Sequence, residues 1–372
     1  MTDSKNKSDK PQDKIYVGLD AIKRLNDCLN HIRYKMVKFF ILADENTVKH
    51  CLPFLINQVP RLNKAEVIEI ESGNRNKNIQ ICIELWKTLG KYGANRQSVL
   101  LNLGGGVICD LGGFAASTFK RGIEFINVPT TLLAQADASL GGKVGIDLDH
   151  IKNEVGLFRN PSCLFIYPGF LKTLNKREFM SGYAEMIKHA LIQDKTYWSK
   201  IVQLKLSDEK AILELIICSV KIKEAIVLKD PYEKEFRKIL NFGHTIGHAI
   251  ESYFLEKEEI TLLHGEAIAV GIICESYISH FKNKLRKSDL NEITSFILSL
   301  YQEVPFKEEE DIRLIELMKN DKKNKGNDIN FTLLNKIGSA EVNKKCSVEL
   351  IRESFSYYHE QYELKNSKTL KG

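Results

Sequence analysis

Val99-Leu-Leu-Asn-Leu-Gly104-Gly-Gly-Val-Ile-Cys-Asp110 carries the first structural signal in the chain. An apolar run of strand length ends in three glycines, with Asp110 and Gly112-Gly113 just beyond. Glycine lets the backbone turn sharply and bring its N–H groups close to a phosphate at a helix start. The pattern is not the usual G-x-G-x-x-G after a first strand, because it begins only at position 104. A nucleotide or phosphate site and a tight structural turn are both open readings.

On either side of this stretch, β-rich runs alternate with helical ones. Strands are expected at 39–43, 66–70, 99–103, 124–128 and 163–167, and a helix at 78–92, where Ile79, Ile83 and Trp86 share a face. Nearly all-apolar strands suit a parallel sheet covered by helices on both sides. After Pro168 the pattern changes to long helical stretches at 177–200, 207–227, 239–255 and 266–280, with a late hairpin at 330–337. The expected architecture is an α/β domain over 15–175 and a helical domain over 176–360, with a ligand cleft between them. Flexible basic tails are expected at 1–14 and 361–372.

Composition excludes several classes. The 372 residues are 43% hydrophobic and 27% charged, the balance of a globular protein, and no apolar run is long enough to span a membrane. The net charge, 54 − 48 = +6, is mild, and no basic stripe with interleaved aromatics suggests nucleic acid. Neither tail has the apolar centre of a secretory signal. Eight scattered cysteines, no two within four residues of each other, read as reduced thiols in a cytoplasmic protein.

Charged groups mark the candidate chemistry. Asp44, at a strand end, suits either a ribose hydroxyl or a helix cap. Pro129-Thr130-Thr131 leads to Asp137, Gly141-Gly-Lys143, Lys152 and Asn153, and with Arg121 these offer three cations for an anionic substrate. Solvated surface charge is the plainer reading. Glu185, Lys188 and His189 share one helical face. His244 and His248 lie one turn apart, with His264-Gly-Glu266 following, so three of nine histidines fall in 21 residues. His244, His248, His264, Glu185, Glu251 and Glu266 are possible ligands of a divalent metal, with core or capping histidines as the alternative. Spacing favours the His244/His248 pair and leaves the third ligand open. Lys223, Glu233, Arg237 and Asn241 form a further polar series.

Taken in order, Gly104-Gly-Gly-Val-Ile-Cys-Asp110, Arg121-Gly122, Pro129-Thr-Thr-Leu-Leu-Ala134, Asp137-Ala-Ser-Leu-Gly-Gly-Lys143, Lys152-Asn153, Ser181-Gly-Tyr-Ala-Glu185, Ile187-Lys188, Asn241-Phe-Gly-His-Thr-Ile-Gly-His248 and His264-Gly-Glu-Ala267 resemble the 3-dehydroquinate synthase family of sugar phosphate cyclases. The resemblance implies a Rossmann-like NAD domain followed by a helical domain holding zinc or cobalt. It implies Glu185, His244 and His264 as metal ligands, which leaves His248 to the substrate. The implied substrate set is Arg121, Asp137, Lys143, Asn153, Lys188, Lys223, Arg237, Asn241 and His248, with Lys322 or Lys323. The implied NAD set is Asp44, Lys77, Gly105, Gly106, Asp110, Thr130, Thr131, Lys143, Lys152 and the segment from Phe170 to Thr173. The implied reaction turns 3-deoxy-D-arabino-heptulosonate 7-phosphate into 3-dehydroquinate and phosphate, by transient oxidation, phosphate elimination, re-reduction and aldol closure. A homodimer is also implied.

The chain departs from the family pattern at Asn74, where a glutamate is usual, at Ile151 in place of glycine and at Asn175 in place of proline. An acidic insertion at 256–259 lengthens the link from His248 to His264. A sister cyclase, of aminodehydroquinate or 2-deoxy-scyllo-inosose type, would share the cofactor parts and differ around the substrate. A metal-dependent polyol dehydrogenase would consume NAD stoichiometrically. A non-catalytic scaffold would show gaps in the ligand set.

Overall fold

The computed structural model describes residues 14–148, 151–257, 262–319 and 329–369. These residues form two compact units. The first unit runs to Thr130 and includes Gly142–Leu148 and Lys152–Thr173. In it, β1 (Lys14–Val17), α1 (Ala21–Leu29), β2 (Phe39–Asp44), α2 (Glu45–His50), α3 (Leu52–Gln58), β3 (Glu66–Ile70) and α4 (Ile79–Lys91) come first. They are followed by β4 (Val99–Gly104), α5 (Gly106–Thr118), β5 (Glu124–Pro129), β6 (Lys143–Leu148), β7 (Ile151–Phe158) and β8 (Cys163–Ile166). Among the described residues, six strands make a parallel sheet in the order β1-β8-β5-β4-β2-β3.

Strand alternation builds a core on each face of this sheet. Ile41, Leu101, Leu103, Ile126 and Phe165 pack with Leu25 of α1 and Leu55 of α3. Phe40, Leu42, Leu100 and Phe125 pack with Leu85 and Leu89 of α4 and Leu111 of α5. Burial on both faces is why these strands carry almost no polar residues. The chain leaves β2 for β3 on one side and then returns to β4 on the other. The carboxyl ends of β2 and β4 therefore flank a topological switch point, the place where open α/β sheets take ligands.

The second unit contains Thr131–Gly141 and the chain from Leu174 onward. Its elements are a π-turn at Ala134–Ala138, α6 (Lys176–Gln193), α7 (Lys195–Gln203), α8 (Glu209–Lys229), α9 (His244–Lys257) and α10 (His264–Asn283). Then come α11 (Lys287–Leu300), α12 (Asp311–Lys319), the hairpin β9 (Ile329–Lys336) and β10 (Ser339–Cys346), and α13 (Val348–Thr369). Every residue of α6 from Met180 to Ile192 is buried, so the helix is central to this unit and Glu185, Lys188 and His189 lie inside it.

Several sequence expectations are corrected. The stretch 131–141, expected in the α/β domain, groups with the helical unit because its π-turn packs on α6 and α8. The helix expected at 177–200 breaks at Asp194, whose carboxylate caps α7 by accepting from the Thr196 and Tyr197 N–H groups. The helix expected from 239 begins only at His244, after the left-handed Gly243 (φ 78°). The expected C-terminal tail is helix through Thr369, held where the buried Tyr362 donates to the Tyr301 carbonyl at 3.0 Å. Lys14 belongs to β1, and the rest of the expected N-terminal tail lies outside the described residues. Among the described residues, no helix is long and apolar enough to cross a membrane.

Candidate active site

In the first unit, the carboxyl ends of β2, β4 and β5 bring Asp44, Gly104 and Pro129 to one edge of the sheet. Gly105 is the N-cap of α5 and has no side chain to satisfy that helix start, leaving backbone N–H groups for an anion. Asp44 closes a capping box on α2, its Oδ1 accepting the Thr47 N–H at 2.8 Å. The helix-cap reading of Asp44 therefore holds at that oxygen. Lys77, nearly buried, donates to Asp110 Oδ2 at 2.7 Å and to Asn153 Oδ1. Three residues expected at the ligand thus meet in one cluster, and Asn153 holds a left-handed φ of 52°. Thr130 hydrogen bonds back to the Gly104 carbonyl at 3.0 Å. Gly106 opens α5, and Phe170 and Thr173 lie in the 3-10 turn Pro168–Thr173. Arg121 ends the 3-10 turn Phe119–Arg121, Lys143 opens β6 and Lys152 lies in β7.

The sequence departures have local structures. Asn74 opens a 3-10 turn, Asn74–Asn76, leading directly to Lys77. Asn175 caps α6, accepting the Glu178 N–H at 2.9 Å, so the helix starts without a proline. Ile151 begins β7. Residues 258 and 259 of the acidic insertion lie outside the described residues, as do Lys322 and Lys323.

In the second unit, His244 Nε2 and His264 Nε2 each lie 3.4 Å from Glu185 Oε1. This group could hold a metal ion. The other nitrogen of each ring is committed: His244 Nδ1 to the Phe242 carbonyl and His264 Nδ1 to Glu251 Oε2, both at 3.1 Å. Fixing Nδ1 leaves Nε2 to face the carboxylate, the outer-shell arrangement used to present imidazoles to metals. Glu185 is fully buried, and among the described residues its Oε1 accepts no hydrogen bond. Burial pulls the His264 imidazole down, but Glu251 and Glu185 outweigh it and push it up to about 9. The site's negative potential is the one a divalent cation satisfies, so the donor set fits a metal. His248, Glu251 and His264 form a second possible group, and the His248 ring lies 5.0 Å from that of His244 and 5.9 Å from that of His264.

Beside the triad, Asp137 of the π-turn gathers cations. Lys223 Nζ lies 2.7 Å from its Oδ1 and donates to its carbonyl at 2.8 Å, while Lys188 Nζ is 3.9 Å from Oδ1 and also touches Glu185. Burial favours the neutral acid, but Lys188, Lys223 and His189 hold Asp137 well below the usual carboxylate range. Burial likewise lowers Lys223, whereas Lys188 is lifted because Asp137 and Glu185 outweigh its desolvation. Arg237 is buried with its guanidinium on the Gly141 and Pro231 carbonyls, at 3.0 and 2.8 Å. Asn241 donates to Glu233 at 3.3 Å. The Arg237 loop is gathered by Asp230, which accepts the N–H groups of Lys234, Glu235 and Arg237.

His189 is a member of this cluster to which the sequence reading gave no role. Its Nε2 lies 3.1 Å from Asp137 Oδ1, and its Nδ1 3.2 Å from Ser219 Oγ. Its place four residues after Glu185 on a buried helix was the available signal.

Consecutive stretches match two family models, 3-dehydroquinate synthase N-terminal at residues 67–181 and 3-dehydroquinate synthase C-terminal at 182–324. A 3-dehydroquinate synthase of Parabacteroides distasonis is 43% identical over 354 residues, covering 94% of this chain and 99% of that protein. Among solved structures, 2-deoxy-scyllo-inosose synthase complexed with carbaglucose-6-phosphate, NAD+ and Co2+ has the same fold, with a TM-score of 0.80 at 23% identity over 91% of this chain and 95% of that one. So does the 2-epi-5-epi-valiolone synthase of Streptomyces hygroscopicus with NAD+ and Zn2+ bound, with a TM-score of 0.77 at 20% identity over 97% and 99% of the two chains. Sequence identity over nearly the whole length decides among these cyclases: the chain belongs to the 3-dehydroquinate synthase family.

Proposed function

We propose that the protein is a 3-dehydroquinate synthase that uses NAD and a divalent cation, zinc or cobalt. It converts 3-deoxy-D-arabino-heptulosonate 7-phosphate to 3-dehydroquinate and phosphate. The observation that carries this reading is the convergence of Glu185 Oε1 with the Nε2 atoms of His244 and His264, next to the lysines gathered by Asp137. When bound, NAD supplies a hydride acceptor restored within each turnover and the cation supplies Lewis acidity to a ring hydroxyl.

The chain's own residues bind and place the substrate. Lys223 and Arg237, with Lys143, Asn153 and Lys322 or Lys323, hold the phosphate so that its oxygen can take the proton whose loss expels it. Lys188 and Arg121 anchor hydroxyl and carboxylate oxygens. Asp137 keeps both buried lysines paired, and Asn241 contacts a substrate hydroxyl. His248 stands outside the Glu185, His244 and His264 set and moves a hydroxyl proton, a role for which an imidazole carries both a donor and an acceptor nitrogen. Asp44, Lys77, Gly105, Gly106, Asp110, Thr130, Thr131, Lys143, Lys152, Phe170 and Thr173 form the NAD set. The α/β unit and the helical unit, the latter including Thr131–Gly141, provide these two halves of the machinery.

The protein works as a cytoplasmic homodimer on the family's pattern, in keeping with its eight free cysteines. A substrate panel tests the reading. Metal-loaded protein should convert the heptulosonate phosphate to 3-dehydroquinate, identified by NMR, and leave glucose 6-phosphate unchanged. Conversion of glucose 6-phosphate alone would assign a sister cyclase activity instead.

A further inference from the structure

Glu275 is fully buried in the middle of α10, and its carboxylate holds the start of another helix. Its Oε2 accepts the Gly243 N–H at 2.7 Å and its Oε1 the Ile246 N–H at 3.1 Å. Gly243 accepts the Gly247 N–H through its carbonyl, which places it at the N-cap of α9, with Ile246 as the third helical residue. In a capping box those same two amides are satisfied by the side chains of the N-cap and third residues. Glycine has no side chain and isoleucine no acceptor, so α9 cannot build that box itself. One carboxylate from α10 supplies both halves.

Close packing brings the carboxylate there. A Cβ on Gly271 would sit 1.9 Å from the Gly243 carbonyl oxygen, and one on Gly243 would sit 2.7 Å from Ile272 Cγ1. His244 lies between the two captured amides. The adjoining Phe242 carbonyl accepts His244 Nδ1, and Nε2 thereby faces Glu185 Oε1.

We propose that Glu275 is a positioning residue of the metal site, fixing the Phe242–His244 turn and so aiming His244 Nε2. The inference rests on the proposed metal reading of Glu185, His244 and His264. In Glu275→Gln the amide oxygen can accept one N–H, but the amide NH2 then meets the other donor head on.

The test titrates metal-free full-length protein with Co2+, following the visible cobalt absorption and competition with a chelator. Wild type should bind cobalt, and E275Q should bind it roughly 10–100-fold more weakly with an altered absorption band. Ser279→Ala is the structural control, since the Ser279 hydroxyl bridges the Glu275 carbonyl and the Leu334 N–H. It should lower thermal stability and leave cobalt affinity alone. Equal cobalt binding by wild type and E275Q overturns the Glu275 inference while the metal reading stands, as does an equal loss in S279A. Wild type that binds no cobalt overturns the metal reading and this inference together. If E275Q does not fold, amide exchange in wild type decides. The Ile246 and Gly243 amides have no acceptor within their own helix, so slow exchange supports the capture and exchange at free-amide rates overturns it.

Discussion

Lys188, His189, Lys223 and Asp137 are tolerable inside the protein because each meets a partner; an unpaired buried charge is far more costly than a paired one. Asp137 is held below its ordinary pKa by Lys188, Lys223 and His189, against the opposing effect of burial. Its ionisation therefore stabilises the fold above its unfolded pKa near 4, and the contribution fades as pH falls toward the depressed folded value. Asp137→Asn should cost about 3–5 kcal/mol at neutral pH, read by urea unfolding. The gap from wild type should stay flat from about pH 5 to 7 and narrow below about pH 4; a gap that widens on acidification would contradict the pairing. For His248, alanine substitution should leave bound metal unchanged and lower kcat by roughly 10²–10⁴-fold. Metal analysis beside kinetics checks it, and metal content falling with activity would make His248 a ligand. Sequence spacing could not make that distinction. A one-turn interval brings His244 and His248 together, but only the packing of α6, α9 and α10 brings Glu185 and His264 to His244.

The sheet strands and α6 differ in how openly the sequence displayed them. β2, β4, β5 and β8 were legible because burial on both faces demands unbroken apolar runs. The four-residue β1 was not, since a short edge strand leaves little periodic signal. Nor were the breaks at Asp194 and Gly243, where one cap or one left-handed residue outweighs an otherwise helical pattern. The π-turn carrying Asp137 was also hidden, because it is set by packing rather than local propensity. Gly182 makes that packing possible: a Cβ there would lie 2.3 Å from the Leu133 nitrogen and 2.6 Å from the Leu132 carbonyl carbon. Gly182→Ala should therefore push α6 away from the segment before the π-turn and destabilise the protein by about 1–3 kcal/mol. A thermal melt and urea unfolding check this; an unchanged midpoint would show that the contact yields freely.

NAD and metal functions fall to different parts of the chain in this account, with Gly104–Gly106 at one sheet edge of the first unit and Glu185, His244 and His264 in the second. Ordered motifs carried this division in the sequence, although the regrouping of 131–141 with the helical unit required three-dimensional contacts. Chelation should accordingly abolish turnover, cobalt or zinc should restore it, and NADH should still bind the chelated protein when followed by fluorescence. Loss of NADH binding on chelation would contradict that separation. The decisive measurement supplies metal-loaded protein with excess heptulosonate phosphate and a trace of NAD+, and counts phosphate released per NAD+ present. Many phosphates per NAD+, with 3-dehydroquinate formed and no NADH accumulating, is the predicted result. Release that stops at one phosphate per NAD+, or NADH that accumulates in step with it, would contradict the account.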